Sequence, residues 1–285
     1  MRFRTEIEPV STGIRIDATT PVLLLGSCFT DEVGSRLDTD GFRTVHNPLG
    51  PLYNPCSIHR CISLALDQYA EPMLAEGPRG FHALDFASRY SGDNATVLLA
   101  AIRTDLDKIR NILAQSPVAI LTLGSAYVFR HLATERIVGN CHKFPSDCFE
   151  RRLLDIDEAT RKIKSSVGAL IGAGCRAVIL TVSPIRHLAD GLHGNTLSKA
   201  TLQLAAEKAL AGIPDTQAGY FPSYEILMDD LRDYRFYAPD MKHPSETAVD
   251  YIYSIFSETY FSKATRAAAI EARRRHLASL HRSIL

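Results

Sequence analysis

Nucleophilic acyl transfer needs a nucleophile, a base and a carboxylate to orient the base, and this chain offers one such set by spacing. Ser27 follows the apolar run Val22-Leu23-Leu24-Leu25-Gly26, and Asp240 stands three positions before His243 in Asp240-Met241-Lys242-His243-Pro244. A short apolar run that stops at Gly-Ser reads as a buried parallel strand releasing a side chain at the sheet's edge. The segment from Thr30 to Leu37 reads as a helix, with Val33 and Leu37 on one face. Its free N–H groups favour negative charge at the junction. Ser27 is therefore expected to be a nucleophile whose attack creates an oxyanion. His243 would take its proton. Asp240, brought close by a tight turn, would fix the imidazole tautomer.

Each of these residues also has a plainer reading. Ser27 alone would serve as the N-cap of the helix that follows. Asp240 and His243 alone would be turn residues before a helix opened by Pro244. Their joint presence favours the triad. Cys28 is a rival nucleophile beside Ser27. Adjacent side chains on a strand-to-helix turn point differently, so only one of the two can face the histidine. The expectation gives that place to Ser27 and packs Cys28 beneath the turn as a small hydrophobe.

Further blocks accompany the two ends. They are Asn47-Pro48-Leu49-Gly50 with Tyr53-Asn54-Pro55, Thr122-Leu123-Gly124-Ser125-Ala126, Gly139-Asn140-Cys141-His142-Lys143, and Val182-Ser183-Pro184-Ile185-Arg186-His187. Tyr220 to Glu225 and Leu231 to Tyr237 follow. With Gly26-Ser27-Cys28-Phe29-Thr30 at the head, this series resembles the GSCFA-domain family, a branch of the SGNH/GDSL hydrolase-like superfamily. The resemblance implies Ser27 as nucleophile with Asp240 and His243 as the final block. It also implies an oxyanion hole built from the nucleophile's backbone, a glycine of a second block and an asparagine of a third. Gly50 fits the second block. In the third, Gly124 is followed by Ser125 and Ala126 where an asparagine would stand two positions after the glycine. One donor is thus unassigned, and Asn54, Asn140 or Ser125 could supply it. Asn140 reads equally as a loop residue satisfying local backbone. His142 and His187, with Ser183 and Arg186, are candidates to bind substrate and equally candidates for structural hydrogen bonding.

The elements that must position these residues alternate. Strands are expected at Val22–Leu25, Val118–Leu123, Tyr127–Arg130 and Ala177–Val182. Helices are expected at Thr30–Leu37, Ser57–Leu66, Thr96–Ala114, Ile156–Ile171, Lys199–Leu210 and Ser245–Phe261. Such alternation implies a mostly parallel central sheet covered by helices on both faces, a three-layer α/β/α sandwich, and the resemblance implies that its form is SGNH-hydrolase-like and flavodoxin-like. Right-handed crossovers then gather Ser27, Gly124 and Ser183 at one edge. One domain over residues 1–263 is expected, followed by a basic helix over 264–285 containing Arg273-Arg274-Arg275 and reading as solvated. The stretch from Glu71 to Asn94 interrupts the pattern, as an insertion over the site or a surface loop with short strands.

Composition bounds the function. The 285 residues are 46% hydrophobic and 22% charged, with 32 basic against 32 acidic side chains. A net charge of zero recruits neither nucleic acid nor an anionic membrane. No apolar run approaches the roughly 20 residues of a membrane helix. The start, MRFRTEIEPVSTG, has acidic residues and no apolar centre, so no secretory leader is expected and the expected location is the cytoplasm. The six cysteines include no Cys-x-x-Cys and are expected to be reduced thiols without metal. Arg232 to Arg235 reads as an ion-paired support of the last loop. The expected activity is cleavage of small, acetyl-type esters through an acyl-enzyme, with no cofactor. The alternatives are O-acyl transfer to a sugar-like acceptor and a binding module without turnover. A small-molecule or carbohydrate ester is the expected partner. Without Trp, any stacking on sugar falls to Tyr53, Tyr90, Tyr127 or Phe129.

Overall fold

The computed structural model describes residues 4–8, 12–68, 71–77 and 80–282. Parts of the leader reading and of the Glu71–Asn94 stretch, and residues 283–285 of the basic helix, lie outside them. The chain runs β1 (Val22–Gly26), α1 (Phe29–Thr39), β2 (Thr44–His46), α2 (Pro55–Ala65), β3 (Leu74–Gly77), β4 (Gly80–Ala83) and β5 (Ser91–Gly92). It continues through α3 (Ala95–Leu113), β6 (Val118–Leu123), β7 (Tyr127–His131), β8 (Arg136–Val138), β9 (Phe149–Leu153), α4 (Ile156–Gly172), β10 (Ala177–Val182) and α5 (Gly191–Leu210). Last come β11 (Ala218–Phe221), the single turn α6 (Ser223–Glu225), α7 (Glu246–Tyr260) and α8 (Lys263–Arg282).

Five strands form the central sheet in the order β11-β10-β6-β1-β2, and every pairing is parallel. Parallel strands need helices on both faces. The residues of β1, β6 and β10 accordingly alternate between two cores. Leu23, Leu25, Ala119, Leu121, Val178 and Leu180 face one cluster, built with α2 to α5. Val22, Leu24, Val118, Ile120, Ala177 and Ile179 face the other, built with α1 and α7. Each of the buried Val, Leu and Ile side chains among them contributes about 1.5–3 kcal/mol, so burial on both faces holds the sheet's edge where the loops leave it. The expected three-layer sandwich is the observed one. β1 is followed on one side by β2 and paired on the other to β6, which makes the gap between the ends of β1 and β6 the switch point of the sheet.

Two small antiparallel sheets lie apart from it, β3-β4-β5 and β8-β7-β9. Glu71 to Asn94 supplies the first of these, which is the short-strand alternative of the two expected. The strand at 127–131 belongs to the second small sheet and not to the central one. Four helices begin with a side-chain cap: Asn54 for α2, Asn94 for α3, Asp155 for α4 and Ser245 for α7. Helix α1 differs. Its N-cap is Cys28, which makes no side-chain capping bond.

Candidate active site

The turn between β1 and α1 is fixed by backbone approach. Gly26 has φ +145°, and a Cβ there would lie 2.2 Å from Thr122 O on β6, so no other residue fits. Ser27 N donates to Thr122 O at 3.0 Å, which keeps Ser27 in the ladder for one residue past the strand. Asn47 clamps the turn from the far side. Its Oδ1 accepts from Gly26 N at 2.9 Å, and its Nδ2 donates to Ser27 O at 3.2 Å and to Asp31 Oδ2 at 3.1 Å. The chain leaves the sheet only at Cys28.

This local geometry reverses the expected roles of the two neighbours. Ser27 is fully buried, its Oγ has no hydrogen-bond partner, and its Cβ packs against Gly124. Cys28 Sγ lies 3.8 Å from His243 Nε2. The pairing of Ser27 with His243 is therefore not formed, and the thiol expected beneath the turn is the group that faces His243. Because Ser27 still bonds to β6, the first side chain to emerge beyond the sheet belongs to the next residue.

Asp240 and His243 meet as a local unit. Asp240 Oδ1 accepts from Lys242 N at 2.9 Å and from His243 N at 3.0 Å. Met241, at φ +58°, closes the turn. Asp240 Oδ2 lies 2.6 Å from His243 Nδ1. The carboxyl group is held well below the usual carboxylate range by the backbone N–H of His243, then by its ring and by Lys242 N. An ionised Asp240 requires the Nδ1–H tautomer, which turns the Nε2 lone pair toward Cys28. Burial pushes the Cys28 thiol up, while a hydrogen bond with Tyr53 and the backbone N–H groups of Cys28 and Phe29 pull it the other way. The resting Cys28 thiol is thus neutral. Burial, with the Cys28 charge next in weight, pushes Tyr53 up to about 12, so its phenol stays a donor.

Cys28 and His243 line a cleft of about 360 Å³ at the switch point. Tyr53, Tyr127, Phe129 and Ile185 give it apolar walls, and Arg151, Arg186 and Lys242 bring charge. Asn54, Ser125 and His187 are in it as expected candidates. Asn54 Oδ1 caps α2 through Ser57 N at 2.9 Å, and among the described residues its Nδ2 has no protein acceptor. His187 Nε2 is enclosed without a partner; burial, followed by the nearby Lys199, His243 and Arg151 charges, pushes the ring down to about 4.

Four candidates stand elsewhere. Gly50 N donates to Asn47 O at 2.8 Å, so this glycine serves the clamp and offers no N–H to a substrate. Gly124 N and Ser125 N both donate to Tyr53 O at 2.8 Å, which makes Gly124 a spacer between Ser27 and Tyr53. Asn140 Oδ1 caps His142 N at 2.8 Å, the loop-residue alternative. His142 is buried beneath the small sheets, with Nε2 2.8 Å from Ala83 O and Nδ1 3.0 Å from Ser91 Oγ, and lines a separate cavity with His82 and Lys143. Tyr90 is likewise unavailable for stacking, since its hydroxyl is tied to Pro48 O and Asp105.

Two residues of the site carried no recognisable signal. Lys199 on α5 is 1% exposed, and its Nζ donates to Gly124 O and to Ser183 O at 2.7 Å each. It ties together the ends of β6 and β10 below the cleft, and burial pushes it down to about 7. Asn47 stood within a noted block, but its work on the turn depends on a neighbour strand that local pattern does not reveal. Cys56, Cys61 and Cys175 are buried, and burial pushes each up to about 12. No helix among the described residues is long and apolar enough to cross a membrane. A family model described as the GSCFA family matches residues 21–256. No curated protein matches the chain.

Proposed function

The chain belongs to the GSCFA family, and we propose that it is a thiol-dependent acyl-transferring enzyme that acts on small acyl esters. The observation that carries this reading is the 3.8 Å approach of Cys28 Sγ to His243 Nε2, with Asp240 on the other ring nitrogen at 2.6 Å. His243 Nε2 takes the thiol proton as Sγ attacks the ester carbonyl. A C–S bond forms and the carbonyl pair moves to oxygen. Cys28 N–H, which has no backbone acceptor among the described residues, and Asn54 Nδ2 are the donors closest in character to an oxyanion hole. Collapse breaks the C–O bond, and the leaving oxygen takes the proton from His243. Water or an acceptor hydroxyl then attacks the thioester with His243 as base, and the thiol is released.

The test is hydrolysis of a short aryl ester by two neighbouring variants. Cys28→Ala should lose at least roughly 10³-fold in kcat/KM. Ser27→Ala should keep most activity and fold normally, because it removes a buried hydroxyl that has no partner. The opposite pattern would return the reaction to Ser27. Unchanged turnover in both variants would remove this turn from the chemistry.

A further inference from the structure

The charges around the cleft are not balanced. Arg151 is paired bidentately with Asp190. Asp240 is engaged by His243. Arg186 and Lys242, the latter next to His243 in the same turn, line the same cleft, and neither has a carboxylate within ion-pair distance among the described residues. Asp233 shares the neighbouring groove with Arg186 but turns to Arg235.

Arg186 is also held in place. Its guanidinium carbon sits 4.1 Å from the Tyr237 ring centroid and 5.3 Å from that of Tyr234. Its backbone N donates to Lys242 O at 3.0 Å, which ties it to the turn that carries the base. A guanidinium immobilised on two aromatic rings has its rotamer fixed before any ligand arrives, and its planar fork matches an anionic oxygen group. Cations without a carboxylate partner, Arg186 half-buried and Lys242 exposed, are a standing attraction for an anion.

We infer that this cleft takes a substrate bearing an anionic oxygen group, a carboxylate or a phosphate, seated on Arg186 and Lys242 beside the reacting carbonyl. The inference rests on the proposed acyl transfer for the word substrate, and on the cations alone for the anion.

The test is alkylation of Cys28 by iodoacetate and by iodoacetamide, read by mass spectrometry, with glutathione as the reference thiol. In both reactions sulfur displaces iodide, one C–S bond forms as one C–I bond breaks, and the thiol proton passes to His243. The reagents differ in charge. The iodoacetate-to-iodoacetamide rate ratio at Cys28 should exceed that of glutathione by at least roughly tenfold, equivalent to about 1.4 kcal/mol. It should fall with rising salt. It should drop toward the glutathione ratio in Arg186→Met and be only partly restored in Arg186→Lys, which keeps the charge but not the stacked fork. A wild-type ratio equal to that of glutathione overturns the inference. If neither reagent reaches Cys28, calorimetric titration with glutarate, inorganic phosphate and neutral glutaramide decides. Binding of an anion without binding of glutaramide supports the inference and names the class of anion; no such preference overturns it. Failure of the acyl-transfer reading looks different: Cys28→Ala keeps its ester hydrolysis while the anion preference stands.

Discussion

In the proposed reaction Asp240 acts on chemistry only through His243, and a substitution that keeps its turn but changes its charge isolates that action. Asp240→Asn retains an oxygen able to accept from Lys242 N and His243 N. Its amide nitrogen would face His243 Nδ1 and demand the tautomer with the proton on Nε2, which removes the base from Cys28. Ester hydrolysis should fall by roughly 10³–10⁴-fold with little change in thermal midpoint. A midpoint loss of many degrees with proportionate loss of activity would instead make Asp240 a structural residue. This pair was legible in the sequence because three positions and a turn are local matters. The choice between Ser27 and Cys28 was not. It depends on whether the ladder with Thr122 runs one residue past Gly26, and Thr122 lies on a different strand. The nearest local hint was the glycine itself, which marks close backbone approach without saying which side chain emerges after it.

Elements buried on both faces were read well from pattern alone. Val118–Leu123 and Ala177–Val182 have the bounds that their continuous apolar runs suggest. The short edge strands β2 and β11 carry too few residues for periodicity to show, and their existence follows from the neighbours that recruit them. The start of α5 at Gly191, well before Lys199, was also hidden, since glycines and polar residues fill its first turns. That helix delivers the lysine clamp, whose worth can be measured. Lys199→Met leaves the carbonyls of Gly124 and Ser183 without their donor and should destabilise the fold by about 1–3 kcal/mol near neutral pH, the removal of a buried amine offsetting part of the loss. The pH dependence has a definite sign. The folded amine is pushed down to about 7 from an unfolded value of 10.5, so between these values the unfolded chain binds the extra proton. Wild-type stability should therefore gain from this group as pH rises from 7 toward 10, and Lys199→Met should lack that gain in denaturant titrations. Equal slopes for both proteins would show that Lys199 stays charged in the fold.

The last helix is tied to the rest of the molecule by a buried charge as well as by the packing of Ala269. Asp40, at the end of α1, accepts from Arg273 Nε at 2.8 Å and Nη2 at 2.9 Å and from Tyr253 OH at 2.8 Å. The basic run on α8 is thus only partly solvated, since its first arginine pairs with a carboxylate that is 3% exposed. Arg273→Met should cost about 1–2 kcal/mol and lower the thermal midpoint by a few degrees, a modest sum because Arg273 is itself half-exposed. Arg274→Met, on the exposed side, should change nothing measurable; equal losses in both would mean that helix propensity and not the ion pair holds α8. The layered fold was legible because alternation and amphipathic spacing repeat along the chain, whereas this long-range tether was not. The same separation bears on the proposed thiol nucleophile and its proposed base. Cys28 and His243 are 215 positions apart. At a synthesis rate of about 5–20 residues per second, roughly 10–40 s pass between the appearance of the nucleophile and that of its base. A ribosome that stalls within that interval holds a chain with its thiol present and His243 not yet made, so the proposed chemistry would be timed by translation itself.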